Sequence, residues 1–223
     1  MPVILVNEIE DGKIGLWKIT EEVYDLENSA NLSEEDKLTC SGIKAIHRKK
    51  EWLATRVLLN ELTGNHNSIK YFSDGRPYPA NGEFNLSISH TTGFVAVIIH
   101  PTLIPGIDLE LISRPVGRVA RRFLSSEEYD ACTEANELSN HKLLLHWCAK
   151  EAIFKIVPFS DIEFSTDILI SLNKNNQKAR LFQGIFKNHS DQISIPLEYL
   201  EIEEVLVVWA FADKFNFSNK NYS

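Results

Sequence analysis

Trp147-Cys148-Ala149-Lys150-Glu151-Ala152-Ile153-Phe154-Lys155 contains neither glycine nor proline, and its residue types predict a helix. Leu143 and Leu144 join Trp147, Ala152 and Ile153 in an apolar surface at helical spacing, and Pro158 ends the run. Trp147, Glu151 and Lys155 stand at i, i+4 and i+8, so they share one side of that helix. Taken alone, Glu151 and Lys155 read as an ordinary helical ion pair, worth about 0.2–0.5 kcal/mol. A second acidic element, Gly106-Ile107-Asp108-Leu109-Glu110, opens another reading. In a strand, Asp108 and Glu110 point to one face while Ile107 and Leu109 enter the core. Two adjacent like charges call for a cation between them. A hard divalent ion such as Mg²⁺ suits two carboxylates, with Glu151 as a third oxygen donor. A polar face on an edge strand gives the same Asp-x-Glu pattern.

The rest of the chain sets the frame. It has 223 residues, 43% of them hydrophobic, enough to core one domain or two compact halves. No apolar run reaches the roughly 18 residues of a membrane span, and the N-terminus lacks a basic-then-apolar signal. A soluble, cytoplasmic protein with no membrane partner is expected. Cys40, Cys132 and Cys148 show no CxxC spacing and read as reduced, small apolar side chains rather than zinc ligands. The net charge of -8 argues against a nucleic-acid partner. Two clusters run against that charge: His47-Arg48-Lys49-Lys50 with Arg56, and Arg114, Arg118, Arg121 and Arg122. Each fits a small polyanion or an acidic partner, or else a solvated helix face.

Strands are predicted at residues 3–6 and 14–19. A helix should start at Ser33, and a longer one should cover 43–62 and stop at Gly64. Further strands are expected near 69–72, 84–90, 94–99 and 104–110, with a turn at 74–77 and a hairpin turn at Thr92-Gly93. After Arg114-Pro115 the order restarts. Short helices are expected at 116–123 and 126–135, with Ser125-x-x-Glu128 as a capping box. A long helix follows at 139–157, then strands at 167–172, 180–186 and 204–212, and a frayed polar tail from Lys214. Trp52–Leu59 can be laid on Trp147–Phe154. The fold expected is α+β: two similar halves in one chain, a pseudo-dimer, each a small antiparallel sheet packed on a long helix. The halves would be 1–112, with the Asp-x-Glu strand, and 113–223, with a site in the crevice between them.

Asn85-Leu86-Ser87-Ile88-Ser89-His90-Thr91 reads as a strand ending in polar groups. Ser89 and His90 point to opposite faces, and no G-x-S-x-G elbow surrounds the serine, so nucleophilic catalysis is disfavoured. Hydrogen bonds and charge offered to a nucleotide fit better. Gly75-Arg76-Pro77 is a turn presenting Arg76, whose guanidinium suits phosphate, and Arg56 and Arg48 could add to it.

Gly75-Arg76-Pro77, Asn85–Thr91, Gly106–Glu110 and Trp147–Lys155 occur in the order and approximate spacing of the 4′-phosphopantetheinyl transferases. The chain resembles the longer, pseudo-dimeric type that activates nonribosomal peptide and polyketide synthases. The resemblance spans roughly residues 45–157. It implies transfer of phosphopantetheine from coenzyme A, as co-substrate, to a serine of an apo acyl or peptidyl carrier protein, releasing 3′,5′-ADP. It assigns Asp108, Glu110 and Glu151 to Mg²⁺, and Lys155 to the pyrophosphate. Ser89 and His90 are assigned to the nucleotide end, and Arg76, Arg56 and Arg48 to phosphates. Glu151 or a water would take the serine proton. The first half would then hold the coenzyme A nucleotide, and the second half the carrier, docked near 114–122. A monomer with one active site is implied. A non-catalytic coenzyme A binder and a metal-dependent phosphohydrolase are the alternatives.

Overall fold

The computed structural model describes residues 3–9, 11–159, 161–172, 180–188 and 191–217. Of the polar tail expected from Lys214, residues 218–223 lie outside them. The chain divides into two compact units, Met1–Thr102 and Leu103–Ser223. Each combines helices with an antiparallel sheet, so the class is α+β.

In the first unit, β1 (Val3–Ile9) and β2 (Gly12–Lys18) precede α1 (Val23–Ala30), α2 (Glu34–Gly42) and α3 (Ile46–Thr63). β3 (Ile69–Tyr71) and β4 (Pro77–Pro79) form a small hairpin, followed by β5 (Asn85–Thr91) and β6 (Phe94–His100). The main sheet runs β1-β2-β6-β5. Helix α3 lies directly against β2: a Cβ on Gly15 would come within 2.7 Å of the Leu58 side chain. Leu53, Leu58, Leu59 and Leu62 fill this layer with Trp17, Val95 and Val97. Ser33 caps α2 by accepting from the Asp36 amide, and Gly64 closes α3 at φ 71°. Thr92-Gly93 makes the two-residue β5–β6 turn, with Gly93 at φ 78°. The sequence did not announce α1, because only Leu26 and Ala30 of its eight residues are buried.

The second unit starts with β7 (Ile104–Leu111). A 3-10 turn, α4 (Ala120–Phe123), α5 (Ser126–Ala131) and a short hairpin of β8 (Thr133–Glu134) and β9 (Glu137–Leu138) lead into α6 (Asn140–Ile156). β10 (Ile168–Ser171), β11 (Leu181–Asn188), β12 (Asp191–Ile202) and β13 (Val205–Ala212) complete a sheet ordered β10-β11-β12-β13-β7. The units divide at Thr102/Leu103 rather than near residue 112, and the cause is β7. All eight of its residues pair with β13, from Ile104 opposite Ala212 to Leu111 opposite Val205. Strand β12 was also unforeseen; Pro196 in its middle weakens the strand signal.

Helix α6 covers one face of this sheet. Leu206, Val208 and Ala210 of β13 share the core with Leu144, Cys148, Ala152, Ile153 and Ile156 of α6. All three cysteines are buried and free. Among the described residues no helix is long and apolar enough to cross a membrane.

Candidate active site

Gly106 explains why α6 and β7 meet so closely. A Cβ there would stand 2.0 Å from the Ala152 carbonyl oxygen and 2.7 Å from the Ile156 side chain. Only a residue without a side chain permits that approach. Gly106, Asp108 and Glu110 share one parity on β7, and they register with Ala210, Val208 and Leu206 of β13. Both carboxylates therefore extend the very face that α6 covers. Ile107 and Leu109 project the other way and are fully buried.

Helix α6 brings two charged residues to this face. Lys155 Nζ donates to Asp108 Oδ1 at 2.9 Å and to the Ile107 carbonyl at 2.7 Å. Glu151, one turn earlier, feels the same carboxylate. Burial pushes its pKa up first, and the charge of Asp108 raises it further, against Lys155 and Arg114. Cys148 is also raised, first by burial and then by Asp108. Glu110 is ion-paired with Arg114, which the sequence placed in a docking cluster. Asn140, the first residue of α6, holds the Arg114 segment: its side chain donates to the Ile112 and Arg114 carbonyls at 3.4 and 3.1 Å. It also accepts from the Val116 amide at 3.4 Å.

Among the described residues, no group of three or more His, Cys, Asp or Glu side chains is gathered tightly enough to hold a metal ion. The expected trio is thus not drawn together into a ligand cluster, since Asp108 and Glu110 lean on Lys155 and Arg114. The donor chemistry nonetheless fits a hard cation. Three carboxylates meet two protein cations there, and at Glu151 burial first and then Asp108 raise the carboxyl.

The neighbouring Glu128 has a different job. The capping box is present, with the Ser125 hydroxyl accepting from the Glu128 amide and the Glu128 carboxylate accepting from the Ser125 amide. The same carboxylate takes the Ile170 amide at 2.6 Å and the Lys150 ammonium at 2.7 Å. Lys150 donates further to the Phe164 and Ile168 carbonyls. Burial lowers the Lys150 pKa, while Glu128 opposes the shift. This is a sealed structural pair.

In the first unit, β5 and the N-terminal turn of α3 bring Arg48 and His90 together. Arg48 Nη1 is 3.3 Å from His90 Nε2, and it donates to Glu51 Oε2 at 3.2 Å. Glu51 Oε2 also lies 3.6 Å from His90 Nδ1. Glu51 was missed by sequence reading; its signal is the i,i+3 spacing from Arg48. Ser89, next along β5, is buried while His90 is exposed. Arg76 is ion-paired with Asp74 at the tip of the β3–β4 hairpin. Arg56 is buried: its Nε donates to Asp36 at 3.3 Å, its Nη1 to the Trp52 carbonyl at 3.2 Å, and its guanidinium stacks 3.2 Å from the Trp52 ring centre. Asp36 also accepts from the Ser33 and Ser68 hydroxyls. Together with Thr39, Lys70, Tyr71 and Tyr78, Arg56 lines a pocket of about 300 Å³.

No curated protein matches the chain. The model of one family, the 4′-phosphopantetheinyl transferase superfamily, matches residues 105–204. That range holds Asp108, Glu110, Arg114, Glu151 and Lys155, while Arg48, Arg56, Arg76, Ser89 and His90 precede it. Proteins of this superfamily are transferases of the phosphopantetheinyl type, and they use coenzyme A and carrier proteins as substrates. Residues 105–204, a little under half of the chain, are similar to the 4′-phosphopantetheinyl transferase superfamily.

Proposed function

We propose that this protein transfers the 4′-phosphopantetheine of coenzyme A to a serine of an apo acyl or peptidyl carrier protein. The observation that carries the proposal is the meeting of β7 and α6 at Gly106, which sets Asp108 beside Lys155 and Glu151. The reaction forms a bond between the serine oxygen and the β-phosphorus. It breaks the pyrophosphate bridge, and 3′,5′-ADP leaves. Asp108, Glu110 and Glu151 would hold Mg²⁺, which when bound supplies charge to neutralise the pyrophosphate.

Lys155 acts at the same place as a fixed cation for pyrophosphate oxygens, already aimed by its bond to the Ile107 carbonyl. Glu151, or a water beside it, takes the serine proton. Arg48 and His90 offer paired cationic and imidazole donors for the nucleotide's 3′-phosphate, with Ser89 beside them. Arg76, shared with Asp74, is a further anion contact, while Arg56 stays in its pair with Asp36 and shapes the pocket beside it. The length of the chain and its two α+β units support the longer, pseudo-dimeric type that serves peptide and polyketide synthases. A monomeric cytoplasmic enzyme accords with that type.

The test is intact-mass measurement of several apo carrier proteins after incubation with coenzyme A and Mg²⁺. A phosphopantetheine mass gain that vanishes on chelation is the expected result. No gain on any carrier, with coenzyme A still bound, would identify a binding module instead. Coenzyme A cleavage without an acceptor protein would identify a phosphohydrolase.

A further inference from the structure

Arg114 has no part in the scheme above, yet its position is built. Its segment follows β7 through a turn in which the Arg114 amide donates to the Leu111 carbonyl at 2.9 Å. Asn140 ties the same segment to the start of α6 through three hydrogen bonds. So anchored, the side chain reaches back four residues to Glu110, and its guanidinium lies 5.4 Å from the centre of the Trp147 ring. Trp147 is one turn before Glu151 on the same side of α6. The guanidinium thus puts a positive charge on Glu110, as Lys155 does on Asp108.

The two cations differ in how firmly they are held. Lys155 is bound to a backbone carbonyl as well as to Asp108, and its side chain is 25% exposed. Arg114 is 44% exposed and rests on the carboxylate and the indole. A divalent ion approaching Asp108, Glu110 and Glu151 needs the Glu110 oxygens that Arg114 engages. Of the two cations, Arg114 is the more exposed and has no such backbone bond among the described residues, so it is the one that an incoming divalent ion can displace into solvent while itself neutralising Glu110.

We infer that Arg114 is an internal counterion that competes with the divalent cation for Glu110 and lowers metal affinity until substrate phosphates supply further ligands. This rests on the assignment of Asp108, Glu110 and Glu151 to the metal. A hard ion of this kind draws part of its coordination from substrate phosphate oxygens. Holding it weakly beforehand couples metal binding to coenzyme A binding. Once displaced, the guanidinium remains at the rim of the site as an anion contact.

The test uses Mn²⁺ alone, without coenzyme A, titrated into the full-length protein and read by the electron paramagnetic resonance of free Mn²⁺. Arg114→Gln should bind Mn²⁺ about fivefold more tightly than the wild type. Arg114→Lys keeps the charge and should stay within about twofold of it. The double variant Glu110→Gln/Arg114→Gln should lose the gain. Circular dichroism checks folding, and Arg114→Ala serves as a second uncharged variant. Equal or weaker binding by both uncharged variants, where Asp108→Asn still abolishes wild-type binding, overturns the role of Arg114 and leaves the metal assignment standing. Mn²⁺ binding that ignores Asp108→Asn, or none in any variant, overturns the metal assignment and this inference with it.

Discussion

Lys150 and Lys155 are five residues apart on α6, which turns them about 140° around its axis, and they lead opposite lives. Lys150 is fully buried against Glu128 and three acceptors take its ammonium. Lys155 pairs with Asp108 but stays 25% exposed. The first unit repeats the contrast on α3. Arg56 and Asp36 are sealed, with side chains 4% and 10% exposed, while Arg48 on Glu51 is 57% exposed. A sealed pair cannot let go without stranding a charge, so it belongs to the framework. A half-open pair can exchange its partner for a phosphate or a metal ion, which is what the proposed chemistry asks of Lys155 and Arg48.

The largest effect should come from breaking the sealed pair. Lys150→Met leaves Glu128 buried without its cation and should cost about 3–5 kcal/mol in urea unfolding. Lys150→Met/Glu128→Gln should recover part of it. If Lys150→Met folds as stably as the wild type but loses transfer, the sealed pair is catalytic and the contrast fails. Next comes the open side of the same helix. Lys155→Ala should lower the transfer rate about 10–100-fold, since a charge-assisted contact is worth about 1.5–3 kcal/mol, with little change in melting temperature. In the first unit, Arg48→Ala should raise the KM for coenzyme A about fivefold, and less at high salt. The KM for 3′-dephospho-coenzyme A should not move.

The smallest effect concerns pH. The Glu151 carboxyl is raised in the folded protein by burial and by Asp108. An acid whose folded pKa exceeds its unfolded value binds more protons when folded. Its cost to stability is therefore absent at low pH and grows as pH rises from about 4.5 through the folded value. Glu151→Gln, without added metal, should match the wild type in acid and melt about 2–4 °C higher at neutral pH. Equal melting temperatures at both pH values would remove the strain attributed to Glu151.

Helix α6, the Asp-x-Glu strand and the Thr92-Gly93 turn were legible because each is written in consecutive residues. Partnership was not. β7 pairs with a strand about a hundred residues later, and no local pattern in Gly106–Glu110 points to Val205–Ala212. Lys150 stands beside Glu151 in the sequence, yet its fate is decided by Glu128 on α5, Phe164 and Ile168. The Ser125–Glu128 capping box was readable, but it could not reveal that the same carboxylate also neutralises Lys150. Arg56 and Arg48 look alike on the sequence. Asp36 and the Trp52 ring, which close over Arg56, are what separate them. Arg114 was visible as a charge, and only the Asn140 bonds mark it as a placed one.

The central claim is that the carboxylate row on β7 performs the transfer. Its most direct test is the rate of phosphopantetheine mass gain on an apo carrier protein with Asp108→Asn, measured beside the variant's melting temperature. The predicted result is a rate lower by about 10²–10³-fold with melting close to the wild type. Near-normal transfer by a well-folded Asp108→Asn protein would contradict the account.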